Sequence, residues 1–235
     1  MTNAGSWDEL YTNELLNNES NPEDIGTVWF EDSDAEAKIL SFLASQNSLS
    51  YTDTSFLDLG CGNGSMLFSL RDYVDDDDTG GWRGRMLGVD YSDQSVSLAR
   101  QIHSTRDDGD FDMDFRTWDI LRGPWSTVLD SSQCNGWDVV LDKGTFDAIS
   151  LSSDKDDQDR RLFEGYRDRV IQLVKKDGYF IITSCNWTAE ELKEWLDGRE
   201  GSGGYFRHEG QVEYPSFSFG GHQGQTITTL CFRKM

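Results

Sequence analysis

The stretch FLDLGCGNGSMLFSL, residues 56–70, runs from a short apolar segment through three glycines into a helical pattern. A strand that turns on glycines into a helix opens a doubly wound α/β sheet, and such sheets hold ligands at that turn. A dinucleotide fingerprint needs glycine at the first, third and sixth places of the turn. Counted from Gly60, the sixth place is Ser65, so that glycine is absent. Asp58 raises an electrostatic objection as well, because its carboxylate, two residues ahead of Gly60, would face the pyrophosphate.

Both features suit a nucleoside that carries no phosphate but has an ammonium group nearby. S-adenosylmethionine is such a ligand, with an adenosine, a sulfonium and a charged amine. The glycines let the backbone approach it closely, and Asp58 pairs with the amine. Two later strand ends offer further contacts. Asp90 closes GVDYS, 30 residues after Gly60, where a carboxylate accepts hydrogen bonds from both ribose hydroxyls. Asp119 and Ile120, at the end of TWDI, are placed to bond the adenine amine and cover the ring. An Asp at a strand end is often only a turn or helix cap. Three such acids at three successive predicted strands make the ligand reading specific.

The rest of the chain alternates in the way this opening unit requires. Residues 6–16 place Trp7, Leu10, Tyr11 and Leu15 at helical spacing, and Ser33 with Glu36 reads as a capping box ahead of Ile39, Leu40 and Leu43. Strands are expected over 54–59, 84–90, 113–120, 137–144 and 177–187. Helices are expected after the glycine loop (Met66, Leu70, Tyr73), from a capping Ser92 (Val96, Ala99, Ile102), over 160–176, and from a second capping box, Thr188 with Glu191. Two late strands near 205–214 and 225–233 have no helix between them and predict an antiparallel hairpin at one edge of an otherwise parallel sheet. The run DYVDDDDTGGWRG, 72–84, reads as a solvated surface loop.

Composition narrows the function. A net charge of −22 leaves little that is basic to neutralise phosphates, which disfavours direct nucleic-acid binding. It favours a basic partner, with mere solubility as the alternative. No apolar run is long enough to cross a bilayer, and the N-terminus lacks the basic start and apolar middle of a secretory signal. Four scattered cysteines point to a reducing, cytoplasmic setting, and three scattered histidines predict no metal site.

DLGCGNG and VDYS resemble the first two cofactor motifs of the class I S-adenosylmethionine-dependent methyltransferases. The resemblance implies a seven-stranded, mostly parallel Rossmann-like sheet with an antiparallel C-terminal hairpin. After the fourth strand, LDKGTFDAIS lacks both the Asn-Pro-Pro-Tyr of many nucleobase and glutamine methyltransferases and the paired glutamates of arginine methyltransferases. Instead DKGTFDA, with WDELYTNEL, DIGTVWFED, TSCNWTAEEL and FSFGG, resembles the elongation factor 1-alpha lysine methyltransferases in their fungal form, from about Trp7 to Met235. The acidic insertion at 75–78 departs from that group's short connection. What the resemblance implies is a protein-lysine N-methyltransferase acting on a basic protein, with residues 1–32 as an N-terminal cap at the substrate rim and 33–235 as the catalytic domain. Another acceptor (a protein amine, an arginine or a small molecule) and a non-catalytic binding protein of the same fold are the alternatives.

The cofactor-binding candidates are Trp29, Asp58, Gly60, Cys61, Gly62, Gly64, Asp90, Tyr91, Asp119, Ile120 and Asp142, and the catalytic candidates are Asp142 and Phe146. Asp142 is expected to orient the acceptor amine with nearby carbonyls rather than act as a strong base. Phe146, Trp29 and Phe30 are expected to wall an apolar tunnel; core packing is the alternative for Trp29 and Phe30, and a helix staple for Phe146. Lys143 pairs either with Asp147 or with a substrate carboxylate, and Asn186 either reaches the substrate or merely precedes a helix cap.

Overall fold

The structure is a computed structural model. It describes residues 4–74, 80–106, 112–198, 203–215, 217–219, 222–224 and 226–235. The acidic insertion at 75–78 and the last two glycines of FSFGG lie outside the described residues.

Five strands run parallel: β1 (Phe56–Leu59), β2 (Met86–Asp90), β3 (Met113–Thr117), β4 (Trp137–Lys143) and β5 (Val174–Ser184). β6 (Phe206–Val212) forms the edge. A short ribbon, β7 (Phe217–Phe219) with β8 (His222–Gly224), follows it, and β9 (Thr228–Lys234) returns between β5 and β6, antiparallel to both. The seven-stranded order is β3-β2-β1-β4-β5-β9-β6, as the resemblance implies.

Strand parity sorts the core into two layers. Phe56, Val139, Leu141 and Ile181 face one side, where α2 (Ala35–Ala44), α3 (Ser65–Asp72) and α4 (Asp93–Thr105) cover them. Leu57, Leu59, Val140 and Ile182 face the other, beneath α5 (Thr145–Leu151), α6 (Tyr166–Leu173) and α7 (Ala189–Leu196). These strands read as continuous apolar runs because both faces are buried. The first helix, α1 (Ala4–Ser20), lies against α4 and is longer than the spacing of its apolar residues predicts.

Three expectations change. The Ser33–Glu36 capping box does not form: Asp34 stands at the N-cap of α2 with φ 51°, and the Glu36 carboxylate instead accepts from Ser65 and Ser69 of α3. The helix expected over 160–176 is a 3₁₀ turn, Leu162–Gly165, followed by the shorter α6. Its apolar pattern runs on into Val174, but that residue pairs with Trp137 and opens β5. β3 ends at Thr117, so Asp119 and Ile120 lie in the turn beyond it. The Ser92 cap and the Thr188–Glu191 capping box are both present.

Candidate active site

The carboxyl ends of β1, β2 and β4 converge on the glycine loop. Gly60, Gly62 and Gly64 all have positive φ (65°, 55° and 85°), a region costly for residues with a Cβ. The surroundings add to the requirement. A Cβ on Gly60 would lie 2.0 Å from Thr145 Oγ1, and one on Gly62 would lie 2.8 Å from the Tyr11 hydroxyl. The Cys61 amide donates to the Val89 carbonyl at 3.0 Å and anchors the loop to β2, while burial pushes its thiol well up.

Asp58 sits beneath this loop, 2% exposed. Among the described residues no hydrogen-bond donor reaches its carboxylate. Burial pushes it up to about 8, and the Lys143 ammonium pulls the other way. A buried carboxylate without donors calls for a cationic partner, so the residues fit the amine end of the implied cofactor.

Asp90 is 6% exposed, and burial raises it too. It accepts from the Gly62 amide at 3.1 Å and the Ser92 amide at 3.0 Å. The Ser95 hydroxyl and the Tyr91 amide act on it as well, so the carboxylate shapes the loop and, at the end of β2, stands where a ribose hydroxyl can reach it. Tyr91 beside it is 43% exposed at the rim. Asp119 is half-buried and accepts from the Leu121 amide at 2.8 Å, which makes it the cap of its turn; Ile120 is buried beside it.

Asp142 and Phe146 are placed differently from expectation. Asp142 aligns with Leu59 and points to the face opposite Asp58. It is 1% exposed, and it accepts from the Thr145 amide at 2.8 Å, the Phe146 amide at 3.0 Å and the Tyr166 hydroxyl. Burial still holds it up to about 7, although Tyr166 and the Phe146 amide lower it. Its carboxylate therefore caps α5 and binds α6 instead of reaching for an acceptor amine. Phe146 is fully buried among Tyr166, Trp187 and Phe163 at ring separations of 5.0–6.4 Å, so it is core and not a tunnel wall.

The open rim belongs to the N-terminal segment. Trp29 is 39% exposed and stands edge-on to Trp7 at 5.1 Å, so it is not core. Phe30 is half-buried at φ 64°, packed toward Ala35, Tyr214 and Gly144. Lys143 pairs with neither Asp147 nor open solvent: Glu36 Oε1 lies 3.4 Å away and the Trp29 carbonyl accepts from it at 3.2 Å. Asp147 instead accepts from Ser184 and from the Cys185 amide. Sequence reasoning missed Tyr11, Asn63 and Tyr166. Asn63 Nδ2 donates to the Ile25 carbonyl at 2.8 Å and so ties the N-terminal segment to the glycine loop. Its place inside the glycine run was the available signal.

A cleft of about 440 Å³ opens at the same sheet edge, beyond β5. Exposed Asn186 lines it with Cys185, Glu190, Gln211 and Thr228. Among the described residues no group of side chains is arranged to hold a metal ion, and no helix is long and apolar enough to cross a membrane.

Residues 51–216 match a family described as a methyltransferase domain. The chain is 40% identical over 231 residues to protein-lysine N-methyltransferase EFM4 of Saccharomyces cerevisiae, covering 97% of this chain and 92% of that protein. To EEF1A lysine methyltransferase 2 of Homo sapiens it is 33% identical over 230 residues, covering 97% and 84%. Among solved structures, N-methyltransferase NodS of Bradyrhizobium japonicum, in complex with S-adenosyl-L-homocysteine, aligns with TM-score 0.56 at 12% identity over 97% of this chain and 98% of that one. A TehB-like S-adenosylmethionine-dependent methyltransferase of Corynebacterium glutamicum aligns with TM-score 0.56 at 13% identity over 98% and 100%. At such identities the two structures speak for the fold alone.

Proposed function

This chain belongs to the class I S-adenosylmethionine-dependent methyltransferases, and within them to the elongation factor 1-alpha lysine methyltransferases; from that premise we propose that it transfers methyl groups to a lysine of translation elongation factor 1-alpha. The observation that carries the cofactor half of this reading is the buried Asp58 carboxylate, which no donor among the described residues reaches, beneath three positive-φ glycines. The acceptor is argued from the relatives' names and from an acidic chain suited to a basic protein partner in the cytoplasm. The same charge argues against nucleic acid as a direct partner, and among the described residues no helix is long and apolar enough to cross a membrane.

In this reading Asp58 takes the cofactor's amine. Gly60, Cys61, Gly62 and Gly64 bring the backbone close to it. Asp90 and Tyr91 serve the ribose, and Asp119 and Ile120 the adenine. Residues 1–32 act as a cap, with Trp29 at the rim and the rest of the chain forming the catalytic domain. S-adenosylmethionine supplies a methyl group already activated on a sulfonium.

The protein's part is alignment and exclusion of water. The acceptor lysine must be neutral to attack, and its ordinary pKa of about 10.4 leaves few molecules so at neutral pH. An apolar rim of Trp7, Trp29 and Phe30 disfavours the charged form. Asp142 acts from behind, as the positioning residue that fixes the first turn of α5 through two amides and Tyr166. The cleft beside Asn186 gives the acceptor segment a way in.

The test is mass spectrometry of purified elongation factor 1-alpha before and after incubation with the enzyme and S-adenosylmethionine. The expected result is one lysine gaining one to three methyl groups. No gain on that protein, with label entering another component of a cell extract, would reassign the acceptor.

A further inference from the structure

Lys143 is a charged group of the site to which the proposed reaction gives no task. Asp58 lies opposite Leu141 in the β1–β4 register, and side chains two apart on a strand point the same way, so Asp58 and Lys143 share a sheet face. That face is covered by α2 and α3. Lys143 Nζ stands 3.4 Å from Glu36 Oε1, with the two side chains only 12% and 14% exposed. Glu36 is fixed in turn by the Ser65 hydroxyl at 2.6 Å and the Ser69 hydroxyl at 2.9 Å. The same ammonium donates to the Trp29 carbonyl at 3.2 Å.

Of the charges that act on Asp58, Lys143 of β4 is positive, while Glu36 of α2, Asp142 of β4 and Asp90 of β2 are negative. The Cys61 thiol of the glycine loop also faces it. A buried carboxylate surrounded by others takes up a proton, and a protonated carboxyl does not grip an ammonium ion. We infer that Lys143 is a positioning residue of the cofactor site: ion-paired with Glu36 and bonded to the Trp29 carbonyl, it favours the ionised form of Asp58 that the incoming amine needs and pins the N-terminal segment beside it. The inference rests on the reading of Asp58 as the carboxylate that takes the cofactor's amine. Two carboxylates, Asp58 and Glu36, share this face with one ammonium. The group is one positive charge short, and the incoming amine supplies it. Through Trp29, the same lysine joins the floor of the cofactor site to its rim.

The experiment titrates S-adenosylhomocysteine, which keeps the amine, calorimetrically into the full chain and four variants between about pH 6 and 8. The ligand's own amine titrates identically in every case, so differences belong to the protein. Wild-type affinity is expected to rise with pH and to level as Asp58 ionises, near about 8. Lys143→Met leaves the affinity still rising steeply at the top of this range and weakens binding at neutral pH about tenfold for each unit by which Asp58 is raised. Lys143→Arg restores the wild-type profile. Glu36→Gln moves the levelling point down, opposite in sign to Lys143→Met, which lost packing alone does not produce. Unchanged affinity and profile in Lys143→Met, beside lost binding in Asp58→Ala, overturn the inference alone. Should Lys143→Met fail to fold by circular dichroism, an unmoved profile in Glu36→Gln overturns it equally. Wild-type binding by Asp58→Ala overturns the cofactor reading beneath it.

Discussion

Single residues divide here by which side of the sheet they face. Phe146 is fully buried among aromatic rings, so Phe146→Ala is expected to cost about 3–5 kcal/mol of stability. Cofactor affinity of the folded fraction should not change. Denaturant unfolding and calorimetry separate the two effects, and intact stability with lost activity would return the ring to a tunnel wall. Gly60→Ala is argued from the opposite kind of site. Its φ of 65° and the Thr145 hydroxyl 2.0 Å from the new Cβ leave no room. Strain of about 1–2 kcal/mol is expected from the backbone alone, and the displaced loop should bind S-adenosylhomocysteine weakly or not at all. Asp58 and the glycines were legible in the sequence because strand, turn and helix are contiguous there. Asp142 and Phe146 were not, because their facing depends on the β1–β4 register and on Tyr166, 24 residues further along the chain.

Among the elements, the N-terminal segment follows its long helix α1 with an irregular stretch that is tied to the glycine loop by specific contacts. The hydroxyl of Tyr11 on α1 lies against Gly62, and the Glu14 carboxylate accepts from the Thr27 amide at 2.9 Å. Asn63 donates to the carbonyls of Ile25 and Thr27 while capping the Ser65 amide. Asn63→Ala should therefore cost about 1–3 kcal/mol, the penalty for stranding buried groups. Amide hydrogen exchange should then quicken over residues 25–30 before it does in the sheet. Equal protection in variant and wild type would mean that the segment holds without this tether. The apolar spacing of Trp7 and Tyr11 made α1 predictable as a helix. Its seat on α4 was not predictable, since that packing joins residues far apart in the chain. The Ser33–Glu36 pattern misled for a related reason: Ser65, Ser69 and Lys143 compete for the same carboxylate and win it.

For the whole molecule, charge sets how stability follows pH. A net charge of −22 makes the surface repel itself more strongly as carboxylates ionise. Composition shows that much, but it cannot show which acids are buried. Burial holds Asp58 up to about 8 and Asp142 up to about 7, against an ordinary 3.8. An acid with a higher pKa folded than unfolded binds its proton more tightly in the native state, so folding gains from that proton. The gain is complete below about pH 4 and vanishes as pH climbs through 7 and 8. Half-buried acids near the surface work the other way: Arg85 holds Asp130 low, and the Arg160 amide and guanidinium hold Asp156 low, so their contribution is lost only as pH falls below about 4. Between about pH 5 and 8 the buried acids and the surface repulsion act together, and Tm of the ligand-free protein should fall across that range. Salt at about 0.5 M screens the surface part and leaves the buried part in place. Asp58→Asn removes its own share, so its Tm should exceed that of wild type near pH 8 and lose the advantage near pH 5. Scanning calorimetry at both salts decides the matter. A wild-type Tm that climbed from pH 5 to 8 would mean that Asp58 is already satisfied by the fold, with no call for a cationic ligand.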